Sequence, residues 1–252
     1  MNTKIALITG ASRGLGKNAA LALARAGHDL VITYHSQAEA AAAVVRAIEA
    51  LGRKAVALQL DTSNISSFAG FSQQLAATLQ QHWQRDRVDY LVNNAGTGVH
   101  SPISETTAEQ FDTMVNVHLK GVFFLTQTLL PQLKDGGAIL NLSSGLARFS
   151  LPGYAAYAMM KGGIEVFSRY LALELGPRRI RVNTLAPGAI ETDFGGGLVR
   201  DNAGLNQLIA SQTALGRVGL PDDIGGAVVA LLSDNSGWIN GQRIEASGGI
   251  HL

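Results

Sequence analysis

Cysteine is absent from the 252 residues. Its absence excludes disulfides, thiolate metal sites and cysteine nucleophiles, and it fits a reducing compartment. Charge is scarce too: charged residues make up 15% and the net charge is +1. That balance argues against holding nucleic acid or a membrane surface by charge. No apolar run approaches the length of a membrane span. The opening stretch 1–8 carries an apolar run too short for a signal peptide, so a cytoplasmic location is expected. There is no HExxH-like or clustered ligand pattern, so no metal is expected. Internal repeats and low-complexity linkers are missing as well. What is present is apolar: hydrophobic residues make up 46%, enough for the core of one α/β domain spanning 1–252.

Ile5-Ala-Leu-Ile8 reads as a buried parallel strand, and an apolar-periodic helix covers Ala19 to Ala26, closed by Gly27. Between them lies Thr9-Gly10-Ala-Ser12-Arg13-Gly14-Leu15-Gly16. Strand, glycine turn and helix N-terminus form the setting of a dinucleotide loop. Glycines let the backbone approach a pyrophosphate, and the helix end offers free N–H groups and positive potential. Gly10, Ser12, Arg13, Gly14, Leu15 and Gly16 are therefore candidate cofactor contacts. The next strand, Leu30 to Thr33, runs into Tyr34, His35 and Ser36, with no acid until Glu39. An acid there would hold a free ribose 2′-hydroxyl. Arg13 with His35 and Ser36 suits a 2′-phosphate instead, so NADP(H) is expected, with NAD(H) the alternative.

Further alternation follows. Helix 37–51 precedes strand Ala55 to Leu60, which ends at Asp61 and Thr62. A helix over Ser66 to Trp83 precedes strand Val88 to Val92, followed by Asn93-Asn94-Ala95-Gly96. Strand–helix alternation dictates a doubly wound parallel sheet with helices on both faces, and ligands at the carboxyl ends of its strands.

The second half carries the chemistry. Tyr157 and Lys161 stand one turn apart on an expected helix, Tyr154 to Leu175. A neighbouring ammonium favours the phenolate; bringing a tyrosine from about 10 to neutrality needs roughly 4 kcal/mol. A tyrosine so tuned exchanges a proton with a carbonyl oxygen or an alcohol. Ser144, after the apolar run Ala138 to Leu142, can hold the same oxygen. Taken alone, such a pair is common on solvated helices. Tyr154 is a control within the sequence, since Ala158 stands four residues after it.

Thr9-Gly10-x3-Gly14-x-Gly16, Asp61, Asn93-Asn94-Ala95-Gly96, Ser144, Tyr157-x3-Lys161 and Pro187-Gly188 together resemble the short-chain dehydrogenase/reductase family in its single-domain form. The resemblance implies that Asp61, with Thr62, meets the adenine. It implies that Asn94, Ala95 and Gly96 line the cofactor cleft, and that Lys161 grips the nicotinamide ribose beside Tyr157. It also implies that Pro187, Gly188, Ile190 and Thr192 bound the carboxamide end. Where the family usually has a relay asparagine, this chain has His118; Asn116 is two residues away and points elsewhere. Either His118 takes the relay role or it is a satisfied core residue.

Helices 109–133 and 154–175 are apolar around most of their circumference, and the resemblance implies a homodimer or homotetramer through them. The connection 189–216 contains Gly195-Gly196-Gly197 and is expected to be a mobile substrate lid. His100, Leu146, Phe149, Tyr154 and Phe194 are the expected substrate contacts, a mostly apolar set. The expected activity is NADP(H)-dependent interconversion of a carbonyl and an alcohol. Resemblance puts a 3-oxoacyl thioester first, and a sugar, polyol or steroid-like alcohol next. A binder of NADP(H) without turnover would lack the proton-transfer set.

Overall fold

The computed structural model describes residues 3–252. Among the described residues seven strands form one sheet in the order β3-β2-β1-β4-β5-β6-β7, with every neighbouring pair parallel. The strands are β1 (Ile5–Ile8), β2 (Asp29–Tyr34), β3 (Ala55–Gln59), β4 (Val88–Asn93), β5 (Leu133–Leu142), β6 (Arg181–Pro187) and β7 (Arg243–Ala246). The expected doubly wound sheet is thus what the chain forms. Its order reverses between β1 and β4, which opens a crevice at their carboxyl ends.

Alternation along the strands explains the two helical layers. Ala6, Ile8, Leu30 and Ile32 face α1 (Gly14–Arg25), α2 (Ala38–Ala50) and α9 (Pro221–Leu232). Ile5, Leu7, Val31 and Leu91 face α3 (Phe68–Trp83), α5 (Gly121–Leu129) and α6 (Ala155–Glu174). Strands covered on both sides must be apolar at nearly every position. Two of the exceptions, Asn93 and Asn141, lie toward the carboxyl ends of β4 and β5. Asn93 Nδ2 donates to Asn141 Oδ1 at 2.8 Å, and Asn141 Nδ2 donates to Ser168 Oγ at 2.8 Å. This buried chain ties α6 to the sheet end that carries the site.

Three expected boundaries move. First, α1 opens at Gly14, so the last two glycines of the loop lie in its first turn. Second, the helix expected over 109–133 stops early. It runs as α4 (Ala108–Val115), a π-helical turn over Asn116–Lys120, then α5 to Leu129. Pro131 then lies in a short 3-10 turn, and β5 begins at Leu133. Leu133 pairs with Val88, and pairing resumes at Ala138 with Tyr90, so residues 134–137 bulge out between them. Third, the connection 189–216 holds two short helices, α7 (Leu198–Asp201) and α8 (Ala203–Ser211). The Asn202 side chain accepts from Leu205 N at 2.9 Å and starts the second. Gly195, Gly196 and Gly197 have φ of 61°, 77° and 80°, a left-handed run that only glycine adopts readily. Among the described residues no helix is long and apolar enough to cross a membrane, and no cluster could hold a metal ion.

Candidate active site

The glycine loop is knitted to its neighbours by polar groups in the strand ends. Thr9 Oγ1 accepts from the backbone N–H of Asn94 at 3.0 Å and of Ala95 at 2.9 Å. Thr33 Oγ1 accepts from Gly10 N at 3.2 Å. Asn94, expected to line the cleft, gives both amide hydrogens to the loop, at 2.8 Å to Thr9 O and 3.1 Å to Gly10 O. Its amide therefore holds the loop in shape. Gly10 has φ 64°, and a Cβ there would sit 2.8 Å from Ala95 Cα. The N-terminus of α1 has no side-chain cap, so its first N–H groups remain free toward the crevice. Ser12 and Leu15 flank this end, and Arg13 is exposed and forms no ion pair among the described residues.

At the outer end, His35 and Ser36 are exposed after β2, with no carboxylate beside them in sequence. Asp61 Oδ1 accepts from Ser63 N at 2.9 Å and from Ser63 Oγ at 2.7 Å; its other oxygen lies 3.7 Å from His35 Nε2. Asp61 and His35 thus share one rim. Thr62 sits under the start of α5, its carbonyl pressed against Gly121. Pro187 ends β6, and Gly188 packs on Ser247. Ile190 is buried, and Thr192 stands across the crevice from Gly14, where an added Cβ would lie 4.0 Å from Thr192 Cβ. The base of the 189–216 connection therefore closes over the glycine loop.

Tyr157, Lys161 and His118 are 7%, 5% and 1% exposed. Lys161 Nζ lies 5.4 Å from the Tyr157 ring centre and donates to Leu142 O at 2.7 Å. Ser144 Oγ accepts from Leu146 N at 3.2 Å and so begins the turn Gly145–Ala147. The His118 ring stands edge-on to Tyr157, centroids 5.3 Å apart. Its Nε2 lies 2.7 Å from Thr97 O, an acceptor, so Nε2 carries the proton and Nδ1 is left as an acceptor. His118 lies within the π-helical turn, a device that re-aims a side chain by one residue's worth of rotation.

Electrostatics here differ from the expectation of a lowered phenol. Burial pushes the Tyr157 phenol up, opposed by its hydrogen bond with Ser144. Burial brings the Lys161 ammonium down to about 8. The lysine is turned toward the Leu142 carbonyl and is itself dry, so among the protein's own groups desolvation outweighs attraction. Burial, then the Lys161 charge, takes His118 down to about 3 against the pull of Thr97. His118 is neutral throughout the working range.

Lys161 makes stability depend on pH. An unfolded lysine holds its proton up to about 10.5, whereas the folded one releases it near about 8. Between those values the unfolded state binds more protons, so stability rises with pH. From about pH 7 to about pH 9.5 the wild type should gain about 2 kcal/mol relative to Lys161→Met, read from denaturant midpoints. Parallel pH profiles for the two proteins would contradict the dry lysine.

Of the expected substrate residues, Phe194 and Leu146 reach the phenol. The Phe194 ring lies 5.7 Å from Tyr157 and covers Gly98, where a Cβ would lie 2.8 Å from Phe194 Cζ. Leu146 packs on the cluster of Met114, Tyr157 and Met160. His100 and Tyr154 pair with each other at 4.9 Å, over Gly153. Phe149 turns away, against Gly145 and the His251 ring at 4.7 Å. The sequence reading had Thr9 only as part of the glycine-loop motif, and it missed Thr33, Thr97, Ser143 and Glu165. A signal existed for Glu165: it follows Lys161 by four and Tyr157 by eight on α6, an acid on the buried face.

A dinucleotide loop with a dry tyrosine and lysine and a half-buried serine at its rim defines a nucleotide-binding α/β protein equipped to move a proton. The chain is similar to known proteins over nearly its whole length. A family model described as enoyl-(acyl carrier protein) reductase matches residues 10–251. An uncharacterized oxidoreductase of Methylorubrum extorquens is 40% identical over 247 residues, covering 98% of this chain and 97% of that protein. A tetrahydroxynaphthalene reductase of Pestalotiopsis fici is 37% identical over 257 residues, covering 98% and 91%. The solved structure of landomycin C-6 ketoreductase with bound NADP and rabelomycin is 36% identical, with a TM-score of 0.90, covering 99% of this chain and 96% of that one. The chain belongs to the short-chain dehydrogenase/reductase family of oxidoreductases.

Proposed function

We propose that this protein is an NADP(H)-dependent reductase of a ketone with a planar, ring-bearing body. The observation that carries the reading is the dry Tyr157 with half-buried Ser144 as its polar neighbour, backed by Lys161, beside the glycine loop. The loop residues and the free N–H groups of α1 hold the pyrophosphate, and Asp61 bounds the adenine end. Arg13, His35 and Ser36 accept the 2′-phosphate. When bound, the cofactor supplies the hydride. The chain's own residues handle the oxygen. Ser144 Oγ and the Tyr157 hydroxyl grip the substrate carbonyl, and Tyr157 gives its proton to that oxygen as negative charge develops. A phenol held above its usual pKa arrives protonated, as reduction requires. Lys161 then stabilises the phenolate and grips the ribose. His118, permanently neutral, fixes Thr97 and the edge of Tyr157 and does not itself exchange a proton.

Ring density around the phenol favours a planar substrate: Phe194 lies over Tyr157, with His100 and Tyr154 paired at the rim. The tetrahydroxynaphthalene reductase and the rabelomycin-bound ketoreductase support the same class. Substrate entry lifts Phe194, with Gly195–Gly197 as the hinge of a lid over 189–216. The acyl-carrier description of the family model favours a second reading, a 3-oxoacyl thioester. Phe123, Phe124, Met159, Val166, Tyr170 and Leu173 are exposed on α5 and α6, which supports a dimer or tetramer through these helices. The lack of cysteine supports a reducing compartment, the cytoplasm.

NADPH and NADH consumption with fused-ring aromatic ketones, acetoacetyl thioesters and sugars tests the reading. Turnover should be fastest with NADPH and the fused-ring ketones. Faster oxidation of NADH would contradict the assignment of Arg13, His35 and Ser36. Preference for thioesters would move the substrate to the second reading, and cofactor binding without any turnover would leave a binder.

A further inference from the structure

Four charged side chains alternate in sign behind the serine loop. Arg243 Nε donates to Glu165 Oε1 at 2.7 Å, and Arg243 Nη1 donates to Glu245 Oε2 at 2.8 Å. Glu245 also takes two bonds from Arg148, at 2.8 and 2.7 Å. The side chains of Glu165, Arg243 and Glu245 are 14%, 22% and 18% exposed, so this is no solvated surface pair. Charge-assisted bonds in such shelter hold geometry well.

The Glu165–Arg243 end of this row falls on the site. Ser143 Oγ donates to Glu165 Oε1 at 2.7 Å, and Arg243 Nη2 donates to Ser144 O at 3.3 Å. The peptide carrying the Ser144 hydroxyl is therefore tied on one side by Glu165 and on the other by Arg243. Glu165 rides on α6, in line with Tyr157 and Lys161. Arg243 opens β7, the edge strand. A guanidinium suits the task, because it sends three donors in fixed directions from one plane. A bridge serving stability alone has no need to end on the carbonyl of the residue whose hydroxyl meets Tyr157.

We infer that Arg243 is a positioning residue for the reaction: with Glu165 it sets where the Ser144 hydroxyl sits relative to the Tyr157 hydroxyl. This rests on the carbonyl reduction proposed above, with Ser144 gripping the oxygen. Arg243 touches no reacting atom; it acts through Ser144.

A double-mutant cycle with Ser144→Ala tests it. Arg243→Met should lower kcat by about 30-fold, in the range that a displaced catalytic group costs, with the KM for ketone and the NADPH affinity within about twofold. In the Ser144→Ala background the same substitution should cause almost no further loss, because nothing is left to position. Arg243→Lys keeps a charge opposite Glu165 and Glu245 and guards against misfolding. It should retain the wild-type melting temperature and lose part of kcat, again only when Ser144 is present. Equal losses in both backgrounds, or an unchanged kcat in both variants, would overturn the inference. Wild-type turnover, measured first, tests the reduction itself, so an additive cycle in an active enzyme rejects the role of Arg243 alone.

Discussion

Replacing Tyr157 with phenylalanine is expected to lower kcat by about 10³-fold, the usual worth of a positioned general acid. NADPH affinity should change by less than about twofold. Phenylalanine keeps the ring, and with it the contacts to His118 at 5.3 Å, to Phe194 at 5.7 Å and to Lys161 Nζ at 5.4 Å. What is removed is a buried hydroxyl whose polar neighbour is Ser144. The melting temperature should therefore hold or rise, since an apolar group replaces a dehydrated polar one. Steady-state kinetics, NADPH fluorescence titration and a thermal scan check the three statements. A variant that keeps more than a tenth of the wild-type kcat would remove Tyr157 from the acid's role.

The second large effect lies away from the reacting atoms. Gly121 begins α5 against the loop that follows β3. A Cβ there would collide with the Thr62 carbonyl and come within 2.9 Å of Asn116 O. Both obstacles are backbone, which yields only by moving a helix against the sheet. Gly121→Ala should cost about 3 kcal/mol and lower the melting temperature by about 10 °C. The shift also disturbs the π-helical turn that aims His118 at Thr97, so activity should fall with stability. Gly70, exposed in α3, is the control: an added Cβ there meets nothing within 4 Å. Gly70→Ala should gain about 0.5 kcal/mol from helix propensity. Equal stability of the two variants, by calorimetry, would contradict the close approach of α5 to the loop after β3.

These two positions show what the sequence reveals and what it hides. Tyr157 and Lys161 are legible because the chemistry needs specific side chains one helical turn apart. The sheet is legible because apolar strands alternate with periodic helices, and the glycine loop because phosphate binding needs glycines between strand and helix. Gly121 is not legible. It sits inside a continuous apolar helical pattern, and its need to be glycine comes from a carbonyl about sixty residues earlier. The π-helical turn is hidden for the same reason, since one extra residue per turn leaves hydrophobicity unchanged. The end of the helix at Leu129 is marked by Pro131, but the apolar residues Leu130 and Leu133 mask it.

Charges mislead in both directions. Arg243 and Glu245 look like solvated surface residues in sequence, yet they form a sheltered row with Glu165, joined by Arg148 from the exposed side. Spacing places Lys161 beside Tyr157 but says nothing of where its Nζ turns. Nζ turns to Leu142 O, and burial decides the direction of both pKa shifts.

The central claim is that this cleft sends a hydride to a carbonyl carbon while Tyr157 protonates the oxygen. The direct measurement uses NADPH deuterated at the transferable position, with a fused-ring aromatic ketone, and locates the label in the product by NMR and mass spectrometry. One deuterium on the new carbinol carbon for each NADPH oxidised is the predicted result. Label on a carbon beside a surviving carbonyl would mean reduction of a carbon–carbon double bond, and would contradict the assignment of Ser144 and Tyr157 to a ketone oxygen.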